Sequence, residues 1–296
     1  MRIATKQSEI WSIGLYKMLW KNNRFNFLEP KEIRNPILTA GDIKDRKAEF
    51  VADPFLIYEK GIYYIFFEVC GNSKENIGLA ISKDGYEWEY QKIVLDEPFN
   101  VAYPCIFRWS DKYYMTPETY KTNSVRLYKA VEFPFKWKFV KTLVERKDFA
   151  DPTILLHENK LWLFVSEATS VNLYLYYADT LEGTWEEHPM SPVIKNDPTK
   201  ARPGGNAISI DNRLIRIAQN DYPYYGNSIR AFEIIKLNHG DYEECELKDS
   251  PLLAASGTGW NKDGMHQLST YKINENEFLA CVDGKRHKKK YYLKIG

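Results

Sequence analysis

Ala52-Asp53-Pro54, Ala102-Tyr103-Pro104, Ala150-Asp151-Pro152 and Ala201-Arg202-Pro203 put Asp53, Tyr103, Asp151 and Arg202 at one position of a recurring tripeptide, with prolines 50, 48 and 51 residues apart. A divergent fifth copy has Met265-His266 there. A second polar set, Glu68, Glu118, Glu167, Gln219 and Asp283, follows the aligned proline (or His266) by 14, 14, 15, 16 and 17 residues. Carboxylates crowded on one rim cannot all ionise. Some keep their protons while others stay charged beside a cation such as Arg202, and that split makes a general acid and a general base. Glycosidic bond chemistry needs such a pair, one to protonate the leaving oxygen and one to activate water or attack the anomeric carbon.

Each residue also has a structural reading. Asp before Pro often caps a turn, and Glu at a strand end often pairs with a neighbouring Lys or Arg. Arg202 precedes Pro203-Gly204-Gly205, where two glycines admit a ligand or another backbone. Its guanidinium suits phosphate or carboxylate, or serves as counter-ion to Asp151 or Asp53. His266 is the only one of 5 histidines at the expected rim, fit for a substrate contact, a channel ion or a structural hydrogen bond. No set has metal-ligand spacing, so no metal and no cofactor is expected.

The elements that must position these residues follow from the same repeat. After each A-x-P comes a short apolar run, a polar turn and a second apolar run, as in Phe55–Tyr58, Glu59-Lys60-Gly61 and Ile62–Phe67. The first and third repeats add two further strand-like segments; in the first, Asp84-Gly85 between apolar runs signals a hairpin. Four strands in about 50 residues, five times over, predict an all-β, five-bladed β-propeller. The blades start near 52, 102, 150, 201 and 264 of one domain spanning 1–296. Innermost strands line the channel, so the start of strand one and the end of strand two share a rim. The last repeat is short of chain. Ile10–Tyr16 is therefore expected to complete it and close the ring, with Tyr291–Ile295 as a third strand and Lys285–Lys290 as a solvated hairpin loop.

Composition narrows the function classes. Lys+Arg 41 against Asp+Glu 40 gives net charge +1, so no global field draws the chain to nucleic acid or an anionic membrane, and no nucleic-acid partner is expected. No apolar run reaches a membrane span, and no secretory signal is visible. Four widely spaced cysteines without a C-x-x-C pair read as free thiols, and a cytoplasmic location is expected. Aromatic residues make up 15%, which suits sheet packing and supplies rings for sugar stacking, Trp260 and Tyr222–Tyr225 among them. Dinucleotide, P-loop and serine-hydrolase motifs are lacking.

The A-D-P-x-x-I start, the Tyr-rich second strand and the D-G-x-x-W hairpin resemble the five-bladed propellers of glycoside hydrolase family 43. Phe50–Phe55, Tyr103-Pro104, Pro117-Glu118, Arg126–Tyr128, Ala150–Ile154, Arg202–Gly205 and Tyr225-Gly226 are more closely similar to the glucosamine inositolphosphorylceramide transferase N-terminal-like domain, from about Trp11 onward. The family 43 pattern implies a general base at Asp53 and an auxiliary Asp at Asp151. Its general acid opens the fourth blade, where this chain has Arg202. The acid would then come from Glu68, Glu118 or Glu167, or the leaving group would be an anion, as in glycosyl transfer or phosphorolysis. The resemblance thus implies a carbohydrate-active enzyme of surface-glycan assembly that makes or cleaves glycosidic bonds. Asp53, Asp151, Glu118 and Glu167 are its candidate catalytic residues; Glu68, Tyr103, Arg202, Gln219, His266 and Asp283 would contact a sugar, glycan or nucleotide-sugar. Association with a transferase domain or enzyme is a further expectation. The alternative is a non-catalytic propeller that binds a glycan or positions a partner enzyme.

Overall fold

Alternating apolar residues and short polar turns fold each repeat into an antiparallel sheet. In the computed structural model, which describes residues 2–72, 74–145, 147–168 and 171–294, the chain opens with β1 (Arg2–Lys21) and β2 (Arg24–Leu28). The first blade is β3 (Phe50–Glu59), β4 (Ile62–Gly71), β5 (Lys74–Ser82) and β6 (Glu89–Leu95). The second is β7 (Ala102–Trp109), β8 (Lys112–Glu118), β9 (Ser124–Glu132) and β10 (Lys136–Glu145). The third comprises β11 (Phe149–His157), β12 (Lys160–Glu167), β13 (Leu173–Ala178) and the short β14 (Glu186–Glu187). The fourth has β15 (Ile208–Ile210), β16 (Arg213–Asn220), β17 (Ser228–Leu237) and β18 (Tyr242–Glu246), with β19 (Leu253–Ala254) also on β17. The chain ends in β20 (Leu268–Asn274) and β21 (Glu277–Lys294). The fold is a five-bladed β-propeller.

The last blade has the order β2-β1-β21-β20, so the N-terminal strands supply its third and outermost positions. Ring closure by the N-terminal strand is therefore as expected. The rest of this blade differs from expectation. Lys285–Lys290 is not a hairpin loop, because β21 runs unbroken through it and pairs with β1 from Leu19↔Glu277 to Arg2↔Lys294. No Gly, Pro or Asn lies between residues 285 and 290 to reverse the chain, and β1 offers an equally long partner. Tyr291 onward continues the same strand; Ile295 lies outside the described residues.

Five apolar clusters fill the five junctions between neighbouring blades. Phe55, Phe66, Tyr103 and Met115 sit between the first and second, and Ile13, Leu15, Val51 and Cys281 between the last and first. The A-x-P tripeptides are where the inner strands break step. Pairing shifts between Ala52 and Phe55, Ala102 and Cys105, and Ala150 and Thr153, since proline has no N–H for the ladder. At each bulge the middle residue is left-handed, Asp53 at φ 50°, Tyr103 at 41° and Asp151 at 52°. In the fourth repeat the corresponding stretch keeps only an isolated bridge, Pro203↔Ala218, to its neighbour strand, and β15 starts only at Ile208.

Candidate active site

A pocket of about 430 Å³ opens at the rim where the bulges lie. Asp53, Glu68, Glu118, Arg202 and His266 line it, with Glu9, Trp11, Glu75, Tyr120 and Tyr225. The bulges supply Asp53 directly and Asp151 just behind the wall, where it is 2% exposed. Carboxylates ending the second strands stitch the bulges to neighbouring blades. Asp283 accepts the Asp53 N–H at 3.0 Å, and Glu118 accepts the Asp151 N–H at 3.2 Å. Asp283 also accepts the N–H groups of His266 and Gln267.

Two charged groups meet these carboxyls. Arg202 Nε lies 2.5 Å from Asp151 Oδ2, and its Nη2 lies 3.6 Å from Glu118; Gln219 donates to the same Asp151 oxygen at 2.8 Å. The Arg202 guanidinium also covers the Tyr225 ring at 5.3 Å. On the other side His266 Nδ1 sits 2.7 Å from Asp283, with Nε2 3.8 Å from Asp53 Oδ1. The imidazole stacks on Trp11, ring centres 3.9 Å apart, and meets the edge of Tyr225. Asp53 Oδ1 is buried and has no hydrogen-bond partner among the described residues.

Burial and neighbouring charges raise the proton affinity of each of these groups. Burial pushes Asp53 up to about 7, against the pull of His266 and with the help of the Asp151 and Asp283 charges. Glu68 is raised well above the carboxylate range by burial and by the Asp53 charge beside it, and Glu118 likewise by burial and Asp151, despite Arg202. Burial works against a charge on His266, yet Asp283 outweighs it and the imidazole is raised to about 9. One pocket thus holds three carboxyls, Asp53, Glu68 and Glu118, that burial and one another's charges all push toward the protonated form.

Not every expected residue reaches the mouth. Tyr103 is fully buried in the channel, where its hydroxyl bonds Thr153 at 2.8 Å and accepts the Gly205 N–H at 2.9 Å. Gln219 and Asp283 lie behind the wall as hydrogen-bonding supports. Glu167 is elsewhere, in a separate depression with Arg126, Lys147 and Asp148, and accepts from the Tyr174 hydroxyl at 2.5 Å. The register gives the reason: Ala52 pairs with Glu68 and Ala102 with Glu118, but Ala150 pairs with Ser166. The interval of 15 residues rather than 14 carried this signal, since one residue of slip moves a side chain to the other face. The glycines after Arg202 admit backbone: a Cβ on Gly205 would lie 1.9 Å from the Leu268 carbonyl oxygen.

Trp11, Glu9 and Glu75 line the pocket without having been anticipated. Alternation along β1 puts Glu9 and Trp11 on one face, but only the pairing with β21 shows that this face meets the mouth. Among the described residues two sets bring potential metal ligands within 4.8 Å of one another: Asp53-His266-Asp283, assembled from distant parts of the chain, and Glu68-Cys70-Glu75, a local cluster across the β4–β5 hairpin. In the first, both Asp283 oxygens already accept backbone N–H groups; in the second, burial pushes the Cys70 thiol up to about 12. Neither offers three free donors.

The chain resembles known proteins in both sequence and fold. It is 31% identical over 304 residues to Glucosamine inositolphosphorylceramide transferase 1 of Arabidopsis thaliana, covering 93% of this chain and 39% of that protein. The namesake from Oryza sativa subsp. japonica is 30% identical over 300 residues, covering 93% and 40%. The chain therefore spans about two fifths of the length of the curated relatives it matches. Among solved structures, a putative glycosidase from Bacteroides thetaiotaomicron superposes with a TM-score of 0.64 at 14% identity, over 86% of this chain and 95% of that one. The catalytic domain of the Coprinopsis cinerea GH62 alpha-L-arabinofuranosidase gives 0.60 at 12% identity, over 81% and 93%. These two share the fold. Residues 11–285 match the family described as Glucosamine inositolphosphorylceramide transferase 1, N-terminal, and the chain belongs to that family.

Proposed function

We propose that this mouth is the site of a carbohydrate-active enzyme that makes or cleaves a glycosidic bond in the assembly of a surface glycan. The observation that carries the reading is the convergence of buried carboxyls on one pocket, Asp53 with its Oδ1 unpartnered among the described residues and Glu118 3.6 Å from Arg202, burial raising the proton affinity of both. Glu118 gives its proton to the departing oxygen. Asp53, whose Oδ1 has no hydrogen-bond partner among the described residues, takes a proton from the attacking hydroxyl, whether water or a second sugar. Asp151 positions Glu118 through the shared Arg202 and does not itself reach the sugar. Names of relatives and of structural neighbours, a transferase and several glycosidases, are in keeping with this class. Four free cysteines, Cys245 exposed, suit a reducing compartment, so we place the protein in the cytoplasm.

A second reading has its own support. Arg202 is ion-paired to Asp151 and close to Glu118, which is how a glycan-binding module would neutralise its carboxylates. Calorimetry separates the two, with wild type, Asp53→Asn and Asp151→Asn titrated with nucleotide sugars and with oligosaccharides, with and without phosphate. The enzyme reading expects wild type to consume a bound sugar while Asp53→Asn binds it and loses at least about a hundredfold in rate. Equal binding by all three with no consumption leaves a recognition site.

A further inference from the structure

Glu167, turned away from the mouth by its register, and the Arg126-Leu127-Tyr128 motif are sequence features that the mouth does not use. The fold brings Glu167 and Arg126 to one place. Both line an open depression of about 720 Å³ between the second and third blades, with Thr122, Ser124, Thr142 and Lys147. This depression adjoins the mouth. Tyr120 and Ala168 line the mouth, while Thr122 and Glu167, two residues and one residue away, line the depression. Successive Cα atoms are about 3.8 Å apart, so the lip between the two is narrow. The turn that forms it is tied down. Thr119 donates its hydroxyl to the Ser124 carbonyl at 2.6 Å, and the Asn123 N–H meets the Tyr120 carbonyl at 2.8 Å. An extended ligand can therefore run from one hollow into the other.

The side chains say what kind of ligand. The Arg126 guanidinium lies 4.7 Å from the Phe99 ring centre and 5.3 Å from that of Phe139. Its Nε donates to Ser124 Oγ at 3.3 Å, and no carboxylate pairs with it among the described residues. A guanidinium fixed by two rings, with donors to spare, suits an oxygen-rich ligand. On the third-blade side the Tyr174 hydroxyl orients Glu167 at 2.5 Å, and Lys147 Nζ lies 4.3 Å from that tyrosine's ring centre. Donors and acceptors thus alternate with hydroxyls along one wall, and among the described residues neither sign of charge dominates it. Sugar hydroxyls, which each donate and accept, match such a wall better than an ion does. We propose that this depression is a second saccharide subsite, which holds an uncharged sugar of the same glycan that occupies the mouth, with Arg126 and Glu167 as its binding residues. The inference rests on the mouth taking a glycan, and it adds the direction in which that glycan runs.

The test is calorimetry of the full chain with cello-, xylo-, manno- and arabino-oligosaccharides of two to six sugars, in the Asp53→Asn background to prevent turnover. At least one series should bind, with affinity rising about tenfold once the chain is long enough to reach the depression, as one or two charge-assisted hydrogen bonds would give. Arg126→Met, which keeps the stem between the rings, and the isosteric Glu167→Gln should each remove that gain and leave the shortest binding member unaffected. Thr142→Trp, which fills the depression without changing charge, should do the same. Thermal unfolding of all three should match the parent. The proposal is overturned if no series binds, if the variants bind long and short members as the parent does, or if Arg126→Met instead abolishes binding of inorganic phosphate. Turnover by the chain with Asp53 intact is read separately: a length-dependent gain without turnover removes the catalytic reading of the mouth alone, and turnover without the gain removes the subsite alone.

Discussion

His266 sits between opposing demands: burial disfavours its charge, and Asp283 and Asp53 favour it strongly enough to raise it from 6.5 to about 9. Asp53 is raised too, from 3.8 to about 7. The sign of the pH dependence follows. Each group binds more protons folded than unfolded, Asp53 between its two values and His266 between 6.5 and about 9, so folding stability falls as pH rises through both windows. The His266 contribution is complete below 6.5 and lost by about 9. Thermal unfolding should therefore occur at a lower temperature near pH 9 than near pH 6, and His266→Gln should flatten that upper window. A slope that His266→Gln leaves unchanged would move the effect to another group. At this scale the sequence was partly legible. Asp53, Glu68, Glu118, Arg202 and His266 could be brought to one mouth from repeat spacing alone, because a bulge beside proline fixes where each strand starts. Glu167 could not be placed by type, since only the count of 14 against 15 separates it from Ser166. The stacking of His266 on Trp11 joins residues 255 apart in sequence, beyond the reach of any local pattern.

Between the bulges and the ring stands the Arg202–Gly205 segment, bound to β16 of its own blade through Pro203↔Ala218 and to its neighbours as well. Gly204 accepts the Leu268 N–H at 2.8 Å, and Gly205 gives its N–H to Tyr103, so this segment ties the fourth blade to the second and the last. It also holds Arg202 against Asp151. Gly205 has φ +133°, and a Cβ there would collide with the backbone at Leu268. Gly205→Ala is expected to cost more than about 4 kcal/mol, both from backbone strain and because a backbone carbonyl has nowhere to move. Gly61 is the control: its φ is +84° and a Cβ meets nothing within 4 Å, so Gly61→Ala should cost only about 1–2 kcal/mol of left-handed strain. Chemical denaturation of the two variants checks the contrast, and equal costs would mean that the close approach at Leu268 does not matter. The paired glycines announced a close approach in the sequence; that the visitor is backbone depends on how the fourth blade meets the last. The basic run misled for a related reason. A cluster of lysines reads as solvated whether it forms a loop or a strand, and its strand state depends on a partner 280 residues away.

At the scale of the whole molecule, the ring is closed by chain from its opposite end. Ile13, Leu15, Met18, Trp20 and Phe25 are all buried, and they fill the junctions on both sides of the last blade. Without β1 and β2, that blade would keep two strands, β21 would present an unpaired edge, and His266 would lose the ring beneath it. Beyond Ser8 the strand β1 pairs with β21 and with no other strand among the described residues. Two truncations separate closure from this outer pairing. Removing residues 1–9 keeps Trp11 and every buried closing residue, so its unfolding temperature should stay within about 4 °C of wild type. Removing residues 1–28 exposes two apolar junctions at once and should abolish cooperative unfolding or send the protein to aggregates. Calorimetry of both, with light scattering for the longer truncation, is decisive for the architecture. A longer truncation that melts cooperatively near the wild-type temperature would mean that four blades and a half-blade hold the channel unaided. Retained closure matters for the site as well: the last blade supplies His266 and Asp283 and the closing strand supplies Trp11, so the charge balance around Asp53 is a property of the closed ring rather than of any one blade.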